Sequence, residues 1–355
     1  MNILITGGAG FIGANLIKNL LETTDHYVIN IDKLSYSYNL KLFDDLDQKQ
    51  LQRYSFFKVD LCDFDYLSKV ISSSNPDYIM HLAAESHVDK SIDDPSIFID
   101  SNIVGTKNLL EAARIFYNKL SAEKKEIFRF HHISTDEVFG SLGKNGKFNE
   151  NSPYSPRSPY SASKAASDHL VRAWFHTYNL PTLISNCSNN FGPLQYPEKL
   201  IPKVILNALN QNPIEIYGDG LNIRDWIYVE DHIEALKRVL FSSKPGKTYC
   251  IGGSCEKSNL EVVTTICNQL DILRPIGDSY NTLIKFVKDR PGHDYRYAID
   301  SKNILNDLNW SPKFNFEKGI IKTINWYLEN TTWFNEGNKK EINIITKRQG
   351  IIDDH

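Results

Sequence analysis

Two groups of residues carry side chains that could transfer protons. Tyr160 and Lys164 stand four residues apart, and on a helix residues at this spacing share one face. A neighbouring ammonium stabilises a phenolate, so the spacing predicts that the pKa of Tyr160 is lowered toward the range of a general base. Thr135, Asp136 and Glu137 are consecutive, and two carboxyl groups near one substrate can divide acid and base roles when their surroundings separate their pKa values. The alternative for Asp136 and Glu137 is a solvated turn.

A run of glycines early in the chain is suited to binding a phosphate. Residues 6–13 read T-G-G-A-G-F-I-G and satisfy G-x-G-x-x-G. Without Cβ atoms the backbone turns tightly and approaches a pyrophosphate, which the N-terminus of the next helix stabilises. Asp32 lies nineteen residues after Gly13, where a carboxylate accepts hydrogen bonds from an adenine ribose and repels a 2′-phosphate, which favours NAD over NADP. The alternative is an ordinary glycine-rich turn.

The elements that position these residues follow from the alternation of short β-rich runs with longer amphipathic segments. This pattern predicts an α/β fold built on a Rossmann-type, doubly wound parallel sheet. The predicted strands span residues 2–6, 27–32, 55–60, 78–81, 128–134 and 182–186. The predicted helices span residues 11–21, 67–72, 97–117 and 160–178, and Ser158 and Pro159 are suited to capping and starting the last of them.

After about residue 190 the predicted elements become shorter, and Gly and Pro separate them. We therefore expect a first, dinucleotide-binding domain at 1–190, to which residues 222–251 return. Residues 191–221 and 252–333 are expected to form a smaller C-terminal α/β domain that binds the substrate on its loops. Residues 334–355 are predicted to be a polar tail.

Composition excludes several classes of protein. The 355 residues are 41% hydrophobic and 23% charged, with a net charge of -3, so we expect a folded core and neither a nucleic-acid partner nor an anionic membrane surface. No apolar run is long enough to span a bilayer. The five cysteines form no C-x-x-C pair, which favours free thiols in the cytoplasm and no metal site.

Further motifs lie in a fixed order along the chain. They are H-L-A-A-E-S-H-V-D at 81–89, S-T-D-E-V-F-G at 134–140, Y-S-A-S-K at 160–164, N-N-F-G-P at 189–193, Y-P-E-K-L-I-P-K at 196–203, Y-G-D-G at 217–220, I-R-D-W-I-Y-V-E-D-H at 223–232 and D-R-P-G-H-D at 289–294. Together with the glycine run they resemble the extended short-chain dehydrogenase/reductase superfamily and, within it, the dTDP-glucose 4,6-dehydratases. The resemblance covers residues 1–333.

This resemblance implies an NAD-dependent lyase that removes water from dTDP-glucose. Tyr160, assisted by Lys164 and Thr135, would take the proton of the 4-hydroxyl while hydride passes from C4 to a tightly bound NAD. Glu137 would then remove the C5 proton, and Asp136 would protonate the departing 6-hydroxyl. Return of the hydride to C6 would give a 4-keto-6-deoxy sugar, a precursor of rhamnose and other deoxysugars, and regenerate NAD.

The resemblance also implies the residues that bind each ligand and the assembly of the chain. The cofactor would contact Gly7, Gly10, Phe11, Ile12, Gly13, Asp32, Lys33, Asp60, Leu61, Leu82, Ala83, Ala84, Tyr160, Lys164 and Asn189. The substrate would contact Ser86, Thr135, Asn189, Glu198, Lys199, Leu200, Lys203, Tyr217, Arg224, Asn259, Arg290, His293 and Tyr297. Arg224 and Arg290 suit a pyrophosphate, because a guanidinium bonds phosphate oxygens in pairs. Segments 97–117 and 160–178 would pair across a two-fold axis in a homodimer.

Three alternatives remain open from the sequence. UDP-glucose differs from dTDP-glucose by one methyl group on the base, which an apolar pocket distinguishes by only about 1 to 3 kcal/mol. A sugar-nucleotide 4-epimerase needs the tyrosine base and a substrate that rotates, but not the Asp136–Glu137 pair. A sensor could keep the fold and bind NAD without turnover, although it would have no need of Tyr160 and Lys164.

Overall fold

The computed structural model describes residues 1–35, 37, 38 and 46–330, so the predicted tail at 334–355 and the last three residues of the predicted second domain lie outside the described residues. Its strands are β1 (Asn2–Thr6), β2 (Tyr27–Asp32), β3 (Tyr54–Lys58), β4 (Tyr78–His81), β5 (Arg129–Thr135), β6 (Thr182–Cys187), β7 (Asn189–Phe191), β8 (Ile214–Tyr217), β9 (Ile223–Tyr228), β10 (Thr248–Ile251), β11 (Glu256–Ser258) and β12 (Ile284–Val287).

Helices occupy most of the remaining described chain. They are α1 (Phe11–Thr23), α2 (Gln48–Leu51), α3 (Phe64–Ser74), α4 (Val88–Asp93), α5 (Ser96–Phe98), α6 (Gly105–Asn118), α7 (Ala122–Ile127), α8 (Pro159–Tyr178), α9 (Leu200–Leu209), α10 (Val229–Ser242), α11 (Asn259–Leu273), α12 (Lys302–Leu308) and α13 (Phe316–Glu329). Among the residues that the structure describes, no helix is both long and apolar enough to cross a membrane.

Seven strands form a parallel sheet in the order β10-β6-β5-β4-β1-β2-β3. The predicted doubly wound sheet is therefore confirmed. The prediction for β3 was wrong at its end, because the strand stops at Lys58 rather than Asp60. The Asp60 carboxylate accepts a hydrogen bond from the Cys62 N–H at 2.9 Å, and this local bond turns the chain away from the sheet.

Helices cover both faces of this sheet, as parallel strands require. Apolar residues of α1 and α10 belong to the core on one face, and those of α3, α6 and α8 to the core on the other. The predicted helix at 97–117 is interrupted by a π-helical turn, Ile99–Val104, closed by a hydrogen bond from the Gly105 N–H to the Asp100 carbonyl. Ser158 caps α8 and Pro159 occupies its first turn, both as predicted.

A second apolar core lies among the shorter elements of the C-terminal half. Two small sheets, β11-β9-β7 and β12-β8, pack there with α9, α11 and α13. Ser188 alone separates β6 of the large sheet from β7 of a small one, and α10 begins directly after β9. Strand β10 lies in the seven-stranded sheet and β9 in a small one, so the segment 222–251 contributes to both sheets. The domain boundaries themselves stay a prediction.

Candidate active site

A cleft of about 310 Å³ follows the edge of the seven-stranded sheet where its strands end. This edge is where open α/β sheets bind ligands. The structure brings to its wall all five residues predicted to be catalytic and all of those predicted to bind the cofactor: Gly7, Gly10, Phe11, Ile12, Gly13, Asp32, Lys33, Asp60, Leu61, Leu82, Ala83, Ala84, Thr135, Asp136, Glu137, Tyr160, Lys164 and Asn189.

The glycine loop after β1 is packed too closely for side chains. Gly7 has a φ of +73°, and a Cβ there would lie 2.6 Å from the backbone nitrogen of Ala83. A Cβ on Gly13 would lie 2.3 Å from the Gly7 carbonyl oxygen. Gly10 caps α1 and offers no side-chain acceptor, so the first N–H groups of this helix face the cleft without a helical partner. These features fit the pyrophosphate of a dinucleotide.

Asp32 links the end of β2 to this loop. Its carboxylate accepts hydrogen bonds from the Ala9 N–H at 3.0 Å and the Leu34 N–H at 2.8 Å, while burial raises the pKa of Asp32. The next residue, Lys33, lies 3.2 Å from a carboxylate oxygen of Glu85. Its ammonium therefore offsets negative charge at this end of the cleft.

Thr135, Asp136 and Glu137 lie where β5 ends and a short 3₁₀ turn begins. The Thr135 hydroxyl donates to Asp136 at 3.3 Å and accepts from the Glu137 N–H at 3.2 Å. Only 1% of Asp136 is exposed, whereas Glu137 is half-buried, so the alternative of a solvated turn is wrong for Asp136. Burial and the nearby carboxyl groups of Glu137 and Asp225 raise the pKa of Asp136 well above its usual range.

Glu137 has a different electrostatic environment. Burial raises its pKa too, but the positive charges of Arg224, Arg290 and Lys199 act in the opposite direction. The two neighbouring carboxyl groups are thus unequal, with Asp136 held in its protonated form more firmly than Glu137.

Tyr160 and Lys164 lie on the first two turns of α8 and are almost fully buried. The expected lowering of the Tyr160 pKa was wrong for the protein chain alone. Burial raises that pKa well above its usual value, and the neighbouring Glu137 and Cys187 raise it further, whereas a hydrogen bond with Thr135 acts against them. Lys164 instead donates to the Ile133 carbonyl at 2.9 Å, and burial lowers the pKa of its ammonium.

Arg224 is a buried cation that forms no ion pair with any residue that the structure describes. Its guanidinium donates to the backbone carbonyls of Asp294 at 3.1 Å and Ile223 at 2.8 Å, and lies 4.4 Å from the centre of the Tyr297 ring. The side chain is only 5% exposed. Arg290, in contrast, forms an ion pair with Asp89 at 2.9 Å.

The residues predicted to bind the substrate are divided between the cleft and its surroundings. Ser86, Asn189, Glu198 and Lys199 line the cleft, with Thr135, and the Lys199 ammonium donates to the Ser86 carbonyl at 2.7 Å. The structure does not bring the others to the cleft wall: these are Leu200, Lys203, Tyr217, Arg224, Asn259, Arg290, His293 and Tyr297.

Local contacts explain several of these positions outside the cleft wall. Lys203 lies 3.6 Å from Glu215 on the surface, and Asn259 begins α11. The His293 ring packs edge-on against Tyr217, and its Nδ1–H donates a hydrogen bond to the Asp289 carboxylate at 2.7 Å.

Sequence reasoning missed several residues of the cleft wall. Cys187 and Asn190 lie at and just after the end of β6. Because the ends of parallel strands line this cleft, the position of β6 in the sequence could have predicted both residues. Gln195 and Tyr196 reach the cleft from the loop before α9, where no periodic pattern marks an orientation. Ser101 lies in the π-helical turn.

The doubly wound sheet, the glycine loop and the Tyr160–Lys164 helix define an extended short-chain dehydrogenase/reductase. The sequence model of the family described as GDP-mannose 4,6 dehydratase matches residues 4–323. The dTDP-glucose 4,6-dehydratase of Salmonella typhimurium is 54% identical over 344 residues, covering 94% of this chain and 95% of the relative. That of Neisseria meningitidis is 54% identical over 337 residues, covering 94% of each. The chain therefore belongs to this family and, within it, to the dTDP-glucose 4,6-dehydratases.

Solved structures have the same architecture. The dTDP-glucose 4,6-dehydratase DesIV of Streptomyces venezuelae, crystallised with NAD, superposes with a TM-score of 0.85 at 38% identity, over 94% of this chain and 98% of its own. The UDP-glucose 4-epimerase of Thermus thermophilus, also with NAD, gives a TM-score of 0.81 at 26% identity over 93% of this chain and 100% of its own. Dehydratase and epimerase thus share the fold, and the site residues must separate their activities.

Proposed function

We propose that this protein is an NAD-dependent dTDP-glucose 4,6-dehydratase, which converts dTDP-D-glucose to dTDP-4-keto-6-deoxy-D-glucose and water. The observation that carries the proposal is the pair formed by the buried Asp136 and the half-buried Glu137, beside Tyr160 on the wall of the dinucleotide cleft. A 4-epimerase needs only a base at C4, whereas dehydration also needs a base at C5 and an acid at the 6-hydroxyl. Two inequivalent carboxyl groups meet that need.

The cofactor would lie along the strand ends. The free N–H groups at the start of α1 would hold its pyrophosphate, Asp32 the adenine ribose, and Tyr160 and Lys164 the nicotinamide ribose. When bound, NAD supplies a reversible hydride acceptor that stores the hydride between C4 oxidation and C6 reduction. No net redox change results, which suits a cofactor that stays bound.

Tyr160 would remove the proton of the sugar 4-hydroxyl. Its hydrogen bond with Thr135 orients the phenol, and Lys164, four residues on, places a positive charge along the same helix face. Because the pKa of Tyr160 is raised in the protein chain alone, the phenol is the resting form. It would therefore lose its proton to solvent before the reaction, favoured by the nearby ammonium of Lys164, and the resulting phenolate would take the proton of the 4-hydroxyl.

Glu137 and Asp136 would carry out the elimination. The raised pKa of Asp136 keeps its carboxyl group protonated, so it can donate a proton to the departing 6-hydroxyl. Burial raises the pKa of Glu137 as well, but the nearby cations oppose this rise, so Glu137 is the one of the pair that more readily ionises and can take the C5 proton once a ketone at C4 has acidified it. Water then leaves across C5 and C6.

The substrate diphosphate would lie beside Arg224 and Arg290. The guanidinium of Arg224 is buried against neutral groups, and an anion would satisfy its charge. We assign the remaining sugar and base contacts to the loops that carry Ser86, Asn189, Glu198 and Lys199, all on the cleft wall.

We also propose a cytoplasmic homodimer whose product enters deoxysugar synthesis, such as that of rhamnose. Support for the dimer comes from the segment that precedes α6, where Ile97, Ile99 and Val104 are 49%, 49% and 39% exposed. Exposed aliphatic side chains in one short segment favour an interface. Ile99→Glu is expected to convert the dimer to a monomer in light scattering after gel filtration, and an unchanged mass would argue against this interface.

Support for the cytoplasmic location comes from the cysteines. All five are free thiols, as in reducing compartments.

Mass spectrometry of the sugar nucleotide tests the activity directly. Purified protein is incubated separately with dTDP-glucose and UDP-glucose, without added NAD. Loss of one water from dTDP-glucose is expected, and the ratio of rates on the two nucleotides measures base preference. Appearance of a galactose nucleotide of unchanged mass, separated by chromatography, would identify a 4-epimerase instead. No change after NAD is supplied and its binding confirmed would refute the proposal.

A further inference from the structure

A buried carboxylate lies behind the cleft and has no role in the steps described above. Asp168 is on α8, one helical turn beyond Lys164, and none of its surface is exposed. One carboxylate oxygen accepts hydrogen bonds from the Tyr154 hydroxyl at 2.7 Å and the Asn186 amide at 2.9 Å. The other lies 3.1 Å from Nε2 of His132. These contacts lower the pKa of Asp168 to about 2 despite its burial, so it carries a charge.

The charge of Asp168 needs a buried cation to balance it. His132 does not provide one near neutral pH, because burial and the neighbouring Lys164 lower its pKa to about 4. Two cations lie four residues from Asp168 on the same helix face. Arg172 is half-buried and donates to the Tyr154 hydroxyl at 2.8 Å, so Lys164 is the buried one of the two. The hydrogen bond from its ammonium goes to the neutral carbonyl of Ile133, which supplies no charge. Asp168 is the largest influence that keeps Lys164 protonated.

A second set of hydrogen bonds connects Asp168 to the backbone of Thr135, which precedes the Asp136–Glu137 pair. The Asn186 amide nitrogen donates both to Asp168 at 2.9 Å and to the carbonyl oxygen of Thr135 at 3.1 Å. All three residues are buried. The carboxylate therefore orients an amide that holds the backbone at Thr135, immediately before the Asp136–Glu137 pair.

We propose that Asp168 is a positioning residue for the reaction, acting as the buried counter-ion of Lys164 and, through Asn186, fixing the backbone of Thr135. This rests on the proposed function, since Lys164 and Thr135 assist Tyr160 there. Asp168 is not on the wall of the cleft, so it acts on the substrate only through these neighbours.

The pH dependence follows from the groups that face Lys164. On α8 these are Tyr160 and Asp168, and on strands β4, β5 and β6 they are His81, His132 and Cys187. The histidines have lowered pKa values and burial raises the pKa of Cys187 to about 12, so Asp168 is the group among them that is charged near neutral pH. Removing its charge lowers the pKa of Lys164 by about one to three units.

The test compares Asp168→Asn with Tyr154→Phe. The asparagine keeps the shape and most hydrogen bonds of the carboxylate but loses its charge, whereas the phenylalanine removes one hydrogen bond to the same oxygen and keeps the charge. For Asp168→Asn we expect the basic limb of the kcat profile to move down by about one pH unit or more, with KM for dTDP-glucose within about three-fold of wild type. Tyr154→Phe is expected to keep the wild-type limb. An Asp168→Asn variant that loses activity equally at every pH, or keeps it, would overturn the proposal.

A measurement that does not depend on turnover separates this proposal from the proposed function. The ε-carbon of Lys164 is followed by NMR in lysine-labelled protein, and its signal is identified by its disappearance in Lys164→Met. We expect Lys164 to be protonated at neutral pH in the wild type and to titrate at lower pH in Asp168→Asn, because the variant lacks the charge that favours the ammonium. Wild-type protein in which buried Lys164 is already neutral at neutral pH would refute the counter-ion role, even if the variant failed to fold. Wild-type protein without dehydratase activity but with this titration would refute only the proposed function.

Discussion

His232 on α10 gives a quantitative test of how burial controls acid stability. Its side chain is completely buried, and desolvation alone lowers the pKa of the imidazole to about 3. In the unfolded chain a histidine has a pKa of about 6.5. The folded value lies below the unfolded one, so the unfolded chain binds a proton that the folded protein excludes. The stability that this group contributes is therefore present above about pH 6.5 and is lost as the pH falls toward 3.

The magnitude follows from the gap between the two pKa values. One pKa unit corresponds to about 1.4 kcal/mol, so by about pH 5 protonation of His232 in the unfolded chain lowers the free energy of unfolding by about 2 kcal/mol. His232→Leu abolishes this titration and places an apolar side chain of similar size at the same buried position. The difference in free energy of unfolding, variant minus wild type, is expected to be about 2 kcal/mol more favourable to the variant at pH 5 than at pH 7.5.

Urea unfolding followed by circular dichroism at both pH values measures this difference. Other buried titrating groups are the same in both proteins and cancel in the comparison. His169→Gln, at an exposed position of α8, is the matched control and is expected to show no such pH-dependent gain. A His232→Leu variant whose stability relative to wild type is the same at both pH values would refute the argument from burial.

Three further predictions concern the cleft. Glu137→Gln should slow dehydration by about 10²- to 10⁴-fold while NAD stays bound and C4 is still oxidised, so reduced nicotinamide should accumulate in single-turnover spectra; unchanged turnover would remove Glu137 from its role. Tyr160→Phe should instead prevent that absorbance from appearing, because the proton of the 4-hydroxyl has no acceptor, and an undiminished signal would contradict the assignment. Gly13→Ala should reduce the NAD retained through purification by about ten-fold or more, since its Cβ would lie 2.3 Å from the Gly7 carbonyl; full retention in a folded variant would show that the loop tolerates the methyl group.

The sheet was predictable because each buried parallel strand is a short run of mainly apolar residues in the sequence. β1, β2 and β4 begin and end where the pattern of apolar residues predicts, and Ser158 and Pro159 mark the start of α8 for reasons that are local in the chain. The carboxyl edge of such a sheet is fixed by the direction of its strands, so the glycine loop, Asp32 and Thr135 could be expected on one cleft. The π-helical turn was not predictable, because one shifted hydrogen bond leaves the apolar period almost unchanged.

The electrostatics of the site could not be predicted from spacing. A spacing of four positions places Tyr160 and Lys164 on one helix face, but spacing does not reveal that the ammonium donates to the Ile133 carbonyl. Nor does it reveal how completely the phenol is buried beside Glu137, which reverses the expected direction of its pKa shift. Lys203 is a similar case, because its pairing with Glu215 depends on β8, a distant strand.

Two of the three junctions between the large and small sheets in the described part of the chain leave almost no free chain. One residue, Ser188, joins β6 to β7, and none lies between β9 and α10. Hinge motions need a few residues whose dihedral angles can change, and these two crossings do not provide them. The segments that form the small sheets therefore could not be exchanged with those of a relative as an independent module, because a graft would have to be joined within one residue of β6 at one crossing and at the start of α10 at the other. In this chain a new sugar preference would have to arise by replacing individual side chains.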